Sequence, residues 1–207
     1  MLLGCALGVA QGMCHAVEPD HLAAVSTLVA ESHKPRSILR FAAAWGAGHA
    51  LILLLVGGAL LLVGVQMPAG LADVSELAVA AMLVFLGVRA LRVGRARRGV
   101  SPVLPTTSPR SRRAAIIGMI HGLAGSGAIG ALVMARVMSP VVGIAFIALY
   151  GLGATLGMSI IAGVAGLPLA RFGGGERAPL LLRLTGIISL VVGVSWAWPI
   201  ARRWLAG

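Results

Sequence analysis

The first apolar run of the chain contains residues 15–21, which read His-Ala-Val-Glu-Pro-Asp-His. Four of these seven side chains are ionisable, although the flanking residues out to Leu2 and Val29 are predominantly apolar. A charged side chain at the centre of a membrane helix costs about 2.5–3.5 kcal/mol even on a permissive insertion scale. Such residues are rare inside membrane spans, and they mark ion pathways and proton relays. The segment therefore predicts a polar site inside a membrane protein.

The composition of the whole chain also favours a membrane location. Of its 207 residues, 58% are hydrophobic and 11% are charged, whereas a soluble domain is about one quarter charged. This argues against a soluble enzyme and against a disordered chain. The net charge of +11 comes largely from arginines beside apolar runs, so we expect the lipid bilayer as a partner and no nucleic acid. The two cysteines are too few for a disulfide framework.

Six apolar runs are long enough to cross a bilayer core, which needs about 20 residues per helix. They are Leu2–Val29, Ile38–Val65, Val74–Val93, Ala114–Val137, Val141–Leu167 and Leu180–Leu205. Lys and Arg accumulate after the first, third and fifth runs, so the positive-inside rule places both termini outside. The predicted location is the bacterial plasma (inner) membrane.

Short sequence matches recur at an offset of 105 or 106 residues. Residues 12–15 match 118–121, residues 45–48 match 150–153, and residues 86–88 match 192–194. Three spans in each half predict a 3+3 inverted repeat, an architecture of secondary transporters whose sites lie near the midplane. We therefore predict an all-α polytopic fold. Its parts are a first repeat at 1–93, a basic cytoplasmic linker at 94–113 and a second repeat at 114–207.

A break in the first span is predicted beside the ionisable segment, because Pro19 lacks the N–H that continues a helix. The break turns Asp20 towards the same cavity as its neighbours and frees the carbonyl of His15. Two histidines from other spans lie at similar predicted depth. Imidazole and carboxylate together suit divalent transition metals such as nickel, copper, zinc and iron. The candidate metal ligands are His15, Glu18, Asp20, His21, His49 and His121.

Three classes of function remain open from the residues alone. The first is a secondary transporter of a divalent transition-metal cation. The second is a proton-coupled transporter or exporter of a small anion or organic solute, in which the same cluster relays protons. The third is a membrane scaffold for a metalloenzyme-maturation or respiratory complex. The sequence has no nucleophile–base pair and no nucleotide-binding motif, so we do not expect an enzyme.

The pattern His-x4-Asp-His on His15, Asp20 and His21 resembles the signature of the nickel/cobalt transporter superfamily, whose common form reads His-Ala-Val-Asp-Ala-Asp-His. Gly-His at residues 48–49 and His-Gly-Leu-Ala-Gly-Ser-Gly at 121–127 are similar to its urease-accessory-type, six-span branch. The resemblance implies that the signature residues bind and pass Ni²⁺ or Co²⁺. The ion is the transported substrate, and no prosthetic group is expected.

The chain departs from the family pattern at two positions of this signature. Glu18 stands where the family usually has an aspartate, and Pro19 stands where it has an alanine. The acidic, threonine-rich signature of the longer eight-span members is also not found. The choice between nickel and cobalt, and between import and export, stays open. So does the existence of a homo-oligomer or of a metalloenzyme-maturation partner.

Overall fold

The computed structural model describes residues 2–30, 35–96, 110–124, 139–172 and 178–206. The regular elements in these ranges are helices, which confirms the predicted all-α class. They are α1 (Leu2–His15), α2 (Pro19–Ala30), α3 (Pro35–Ile52), α4 (Gly58–Val63), α5 (Ala69–Ala96), α6 (Arg110–His121), α7 (Pro140–Phe172) and α8 (Ala178–Ala206). A π-helical turn at Leu53–Gly57 joins α3 to α4 without interruption.

Four segments within the described ranges are long and apolar enough to cross a membrane. They are Arg36–Val63, Ala69–Arg95, Pro140–Val164 and Pro179–Ala206. Their positions agree with the second, third, fifth and sixth of the predicted runs. Only 28–44% of the residues in their most apolar windows are buried inside the protein. More than half of the residues in each window are therefore at least partly exposed, as in helices that contact lipid.

The first predicted run, Leu2–Val29, is two helices and not one continuous span. α1 ends at His15 and α2 begins at Pro19, and proline is well suited to the first helical position because its missing N–H is not needed there. The predicted break is therefore present. The predicted free carbonyl is wrong, because the backbone N–H of Glu18 donates to the carbonyl oxygen of His15 over 3.0 Å.

The fourth predicted run, Ala114–Val137, is described only at its beginning. α6 covers its first residues and ends at His121, after which the N–H of Ala124 donates to the His121 carbonyl oxygen over 3.3 Å. Both α1 and α6 thus end at a histidine that is followed by a turn. The remainder of this run, from residue 125, and most of the predicted linker at 94–113 lie outside the described residues.

Helix packing in the two halves of the chain repeats at the offset seen in the sequence. α1 lies so close to α7 that a Cβ on Gly12 would overlap the carbonyl oxygen of Tyr150. α6 lies equally close to α3, where a Cβ on Gly118 would overlap the carbonyl oxygen of Trp45. Small residues permit such close contact between membrane helices. Further contacts related in the same way are Gly153 with Val9 and Gly48 with Ala115.

The long helices α5 and α8 also pack on one another across the two halves. A Cβ on Gly87 would come within 2.7 Å of the carbonyl oxygen of Gly186. The buried hydroxyl of Ser189 donates to the carbonyl oxygen of Leu83 over 2.9 Å. The pairs α1–α7, α3–α6 and α5–α8 each join a helix of the first half to a helix of the second. In the described part of the chain, the two halves therefore pack against each other along these three helix pairs.

Polar contacts tie the ends of α5 and α8 together. Arg203 forms an ion pair with Asp73, and the indole N–H of Trp204 donates to the same carboxylate over 3.3 Å. At the opposite ends of these helices, Arg183 donates to the carbonyl oxygen of Gly94 over 3.4 Å. The end of α8 thus lies on the same side of the molecule as the connection from α4 to α5.

Candidate metal centre

Four histidines and one aspartate meet where α1, α2, α3 and α6 approach each other. His15 ends α1, Asp20 and His21 lie in the first turn of α2, His49 lies in α3, and His121 ends α6. Each of these residues is at most 2% exposed. Because α1 stops at His15, the chain can turn and direct Asp20 and His21 to the same interior point. The structure thus brings together five of the six predicted ligands.

The carboxylate of Asp20 connects two imidazoles from two different helices. Its Oδ1 atom accepts from the backbone N–H of His21 over 2.9 Å and contacts Nδ1 of the same residue at 3.2 Å. Its Oδ2 atom lies 2.9 Å from Nε2 of His121, 101 residues along the chain. An ionised carboxylate is an acceptor only, so both of these nitrogens carry hydrogen. In neutral rings the lone pairs are then on Nε2 of His21 and Nδ1 of His121.

Further nitrogens in the cluster have no hydrogen-bond partner among the described residues. These atoms are both ring nitrogens of His15, Nε2 of His21, both ring nitrogens of His49 and Nδ1 of His121. A buried polar group without a partner costs about 1–3 kcal/mol, so stability of the fold does not account for the cluster. A bound metal ion would accept one lone pair from each of these neutral rings.

The cluster contains two groups with the spacing of a metal site. Side chains of His15, His21 and His49 offer ligand atoms that all lie within 4.8 Å of one another, and the same is true of Asp20, His21 and His121. The ring centroid of His21 lies 4.4 Å from that of His15 and 4.1 Å from that of His121. His21 therefore belongs to both groups. A donor set of imidazoles with one carboxylate suits nickel, cobalt and zinc better than magnesium or calcium.

Glu18, the sixth predicted ligand, lies at the edge of the cluster. It sits in the turn between α1 and α2, and its side chain is 22% exposed. Its Oε1 atom is 2.9 Å from Nδ1 of His15, at an angle that does not make a hydrogen bond. Glu18 thus contacts the centre through His15 and belongs to neither three-residue group.

Two aromatic side chains line the cluster, and in the sequence both stand out only as members of the repeat. Tyr150 and Trp45 are buried, and each contacts a histidine of the opposite half of the chain, while Trp45 also stacks on His21 of its own half. The ring centroid of Tyr150 is 5.6 Å from that of His15, and the ring centroid of Trp45 is 5.6 Å from that of His121. The repeat was the signal that could have found them, because Trp45 matches Tyr150 and His15 matches His121.

Substitution of Tyr150 tests whether its hydroxyl has a structural partner. The oxygen is buried and accepts or donates no hydrogen bond within the described part of the chain. Tyr150→Phe is therefore expected to leave the thermal unfolding temperature unchanged or to raise it, whereas Tyr150→Ala is expected to cost about 3–5 kcal/mol through the cavity it creates. Thermal unfolding of both variants in detergent measures this. A Phe variant as unstable as the Ala variant would contradict the described environment.

A comparison with curated proteins identifies the family. The chain is 30% identical over 203 residues to the urease accessory protein UreH of Bacillus sp. (strain TB-90), an alignment that covers 93% of this chain and 89% of the relative. The chain belongs to the urease-accessory-type, UreH-like branch of the nickel/cobalt transporter superfamily. This confirms the resemblance drawn from the His-x4-Asp-His signature. No protein-family model and no solved structure matches the chain. Membership of this family and the four apolar spans together show that this chain is an integral membrane protein.

Proposed function

We propose that this protein is a secondary transporter that moves a divalent transition-metal cation, nickel first and then cobalt, across the membrane. The observation that carries the proposal is a buried group of metal-binding side chains whose ring nitrogens are largely without hydrogen-bond partners among the described residues. Family membership supports the same substrate class. The residues that would bind the ion are His15, Asp20, His21, His49 and His121, with Glu18 beside them.

The proposed architecture is a six-span 3+3 inverted repeat with the cluster near the midplane. The contacts that recur at the sequence offset support it, since α1 packs on α7 as α6 packs on α3. α1 has 14 residues and is about 21 Å long at 1.5 Å per residue. This is shorter than a hydrocarbon core of about 30 Å. In this arrangement α1 and α2 form the first span, and His15 lies within the hydrocarbon region.

The proposed orientation has both termini outside the cytoplasm and the basic loops inside. Arg202 and Arg203 at the end of α8 run against the positive-inside rule in this orientation. The ion pair of Arg203 with Asp73 supports the orientation, because it places the end of α8 beside the connection before α5, which contains no Lys or Arg. A bacterial plasma membrane is the proposed location.

In the proposed mechanism, the ion exchanges its hydration water for imidazole nitrogens and for the carboxylate of Asp20. The Asp20 carboxylate supplies the negative charge that a dication needs away from bulk water, and it also fixes the orientation of His21 and His121. Tyr150 and Trp45 exclude water from the two sides of the cluster. The two repeats rock about this point and expose it to one side of the membrane at a time.

The relative's description concerns urease, so we propose that nickel carried by this protein serves the maturation of a metalloenzyme. A homo-oligomer or a maturation partner in the membrane is compatible with the outward-facing apolar helices. An alternative function is a proton-coupled transport of a small anion or organic solute. The continuous contacts from His21 through Asp20 to His121 favour it, because such chains also relay protons.

Uptake of radiolabelled Ni²⁺ into proteoliposomes tests the proposal. We expect saturable uptake by the wild-type protein, loss of uptake in His15→Ala and His21→Ala, and stronger competition by Co²⁺ than by Zn²⁺ or Mn²⁺. His33→Ala is the matched control, because His33 is the one histidine of the sequence that is not a candidate ligand. If the folded protein gives no metal uptake but moves protons when a metal-free substrate is present, the alternative of proton-coupled solute transport is supported instead.

The role of Glu18 is tested by comparing Glu18→Gln with Glu18→Asp. We expect Glu18→Gln to lower the initial rate of Ni²⁺ uptake by about tenfold, the lower end of the effect of a residue that orients a metal ligand. Glu18→Asp restores the residue that the family usually has, and we expect it to retain most of the rate. Rates are measured over a range of Ni²⁺ concentrations. A loss in Glu18→Gln as complete as in His21→Ala would instead make Glu18 a direct ligand.

A further inference from the structure

We propose that the cluster contains two overlapping metal positions that share His21, and that the transported ion passes from one position to the other. This inference rests on the proposed function and specifies how the same site works. The first position is formed by His15, His21 and His49. The second is formed by Asp20, His21 and His121.

The two nitrogens of His21 face different surroundings. Nδ1 contacts the carboxylate of Asp20 at 3.2 Å, whereas Nε2 is buried without a hydrogen-bond partner in the described part of the chain. The ring lies 4.4 Å from the ring of His15 and 4.1 Å from the ring of His121. Because the two nitrogens of an imidazole point in different directions, one ring can bind an ion at either edge. Nε2 serves the first position and Nδ1 serves the second.

One ligand of each position is matched in the repeat. His15 and His121 are matched residues, each ends a short helix, and each has an aromatic ring of the other half at 5.6 Å. In the 3+3 arrangement α1 and α6 enter the membrane from opposite sides. One position is therefore nearer to the end of α1 and the other nearer to the end of α6, with His21 between them.

Only one ion at a time occupies the pair, because both positions use the same ring and two dications at this spacing repel each other strongly. The number of hydrogens on the imidazole rings does not change as the ion moves. With the ion on Nε2, Nδ1 of His21 keeps its hydrogen and donates it to Asp20. With the ion on Nδ1, water from the hydration shell of the ion takes this proton, and a proton from water returns to Nε2 of the same ring. The proton of His121 is exchanged from Nε2 to Nδ1 in the same way, so each ring loses one proton, gains one and stays neutral.

Single substitutions distinguish a cluster with two metal positions from a cluster with one site of five ligands. His49→Ala removes a ligand of the first position only, and His121→Ala removes a ligand of the second only. His21→Ala damages both. A composite site would lose affinity to a similar degree in all three variants. Two positions would leave one complete three-ligand group in each of the first two variants.

Equilibrium dialysis of Ni²⁺ against the purified full chain, combined with proteoliposome uptake, makes this comparison. We expect one Ni²⁺ per wild-type chain, and binding within about tenfold of wild type in His49→Ala and His121→Ala. We expect uptake in both variants to fall by about 100-fold, because the ion has no second position to which it can pass. His21→Ala should bind no Ni²⁺, and His33→Ala should behave as wild type.

The absorption spectrum of bound Co²⁺ gives a readout that does not depend on transport. His121→Ala retains three imidazoles, whereas His49→Ala retains two imidazoles and a carboxylate, so their spectra should differ. The wild-type spectrum should be an average of the two, weighted by the occupancy of each position. Loss of binding in both variants, identical spectra, or full uptake by either variant would overturn the two-position proposal. A wild-type protein that neither binds nor transports metal would instead overturn the proposed function.

Discussion

Asp20→Asn is expected to reduce Ni²⁺ uptake by at least about 100-fold while the protein remains folded. The substitution keeps the size of the side chain and removes its charge. Removing one partner of a buried charged pair costs about 3–5 kcal/mol, and each 1.4 kcal/mol is about a factor of ten in affinity. Because Asp20 is the buried carboxylate of the described cluster, no neighbouring acid in that cluster replaces its charge.

The fold should survive this substitution. The amide oxygen of asparagine can still accept from the backbone N–H and from Nδ1 of His21, as Oδ1 of Asp20 does now. Asp73→Asn is the matched control, because it removes a carboxylate that pairs with an exposed arginine away from the cluster. An exposed pair contributes at most about 1 kcal/mol, so uptake should stay near wild type. Normal uptake by Asp20→Asn would show that the carboxylate does not neutralise the ion.

A large loss of stability is also expected when either of two glycines, Gly12 or Gly118, is replaced by alanine. In each case the new Cβ would overlap a backbone carbonyl oxygen of the facing helix, that of Tyr150 or that of Trp45. A backbone atom cannot rotate away as a side chain can, so the two helices must separate. We expect each alanine variant to lose about 3 kcal/mol of stability, the upper end of ordinary overpacking.

These variants should also lose transport, because each glycine lies three residues before a histidine of the cluster. Residues three apart share a helix face, so displacement of α1 at Gly12 displaces His15, and displacement of α6 at Gly118 displaces His121. Gly58→Ala is the matched control, since a Cβ there would meet nothing within 4 Å. Thermal unfolding and Ni²⁺ uptake are measured for all three. Wild-type stability in Gly12→Ala or Gly118→Ala would contradict the described helix contacts.

The main features of the fold could be predicted because they depend on local composition and spacing. Apolar runs of sufficient length predict membrane helices, and Pro19 predicts a break in the first of them. The fate of the His15 carbonyl could not be predicted from proline chemistry, because the turn that follows α1 directs the N–H of Glu18 to it. Pro19 determines that the helix stops, whereas the conformation of the turn determines which backbone groups form hydrogen bonds.

Five of the six predicted residues do meet in the buried cluster, but the contacts between them could not be predicted. The cost of burying ionisable groups identifies His15, Asp20 and His21 from the sequence alone. The contact of Asp20 with His121 joins residues 101 positions apart, and it depends on how α6 packs against its neighbours. The aromatic lining was missed for a related reason. A tryptophan or tyrosine inside an apolar helix ordinarily indicates packing, and only the register between helices places Trp45 and Tyr150 beside the histidines.

We propose that this chain transports a metal ion through the buried histidine–aspartate cluster. The most direct test is the amount of Ni²⁺ accumulated per protein in proteoliposomes that contain equal amounts of folded wild-type or Asp20→Asn protein. We expect many Ni²⁺ ions per wild-type chain inside the vesicles, and no more than one per variant chain. Accumulation by wild type that stops at one ion per chain would indicate a binding protein and contradict transport. Equal accumulation by both proteins would contradict the cluster as the route.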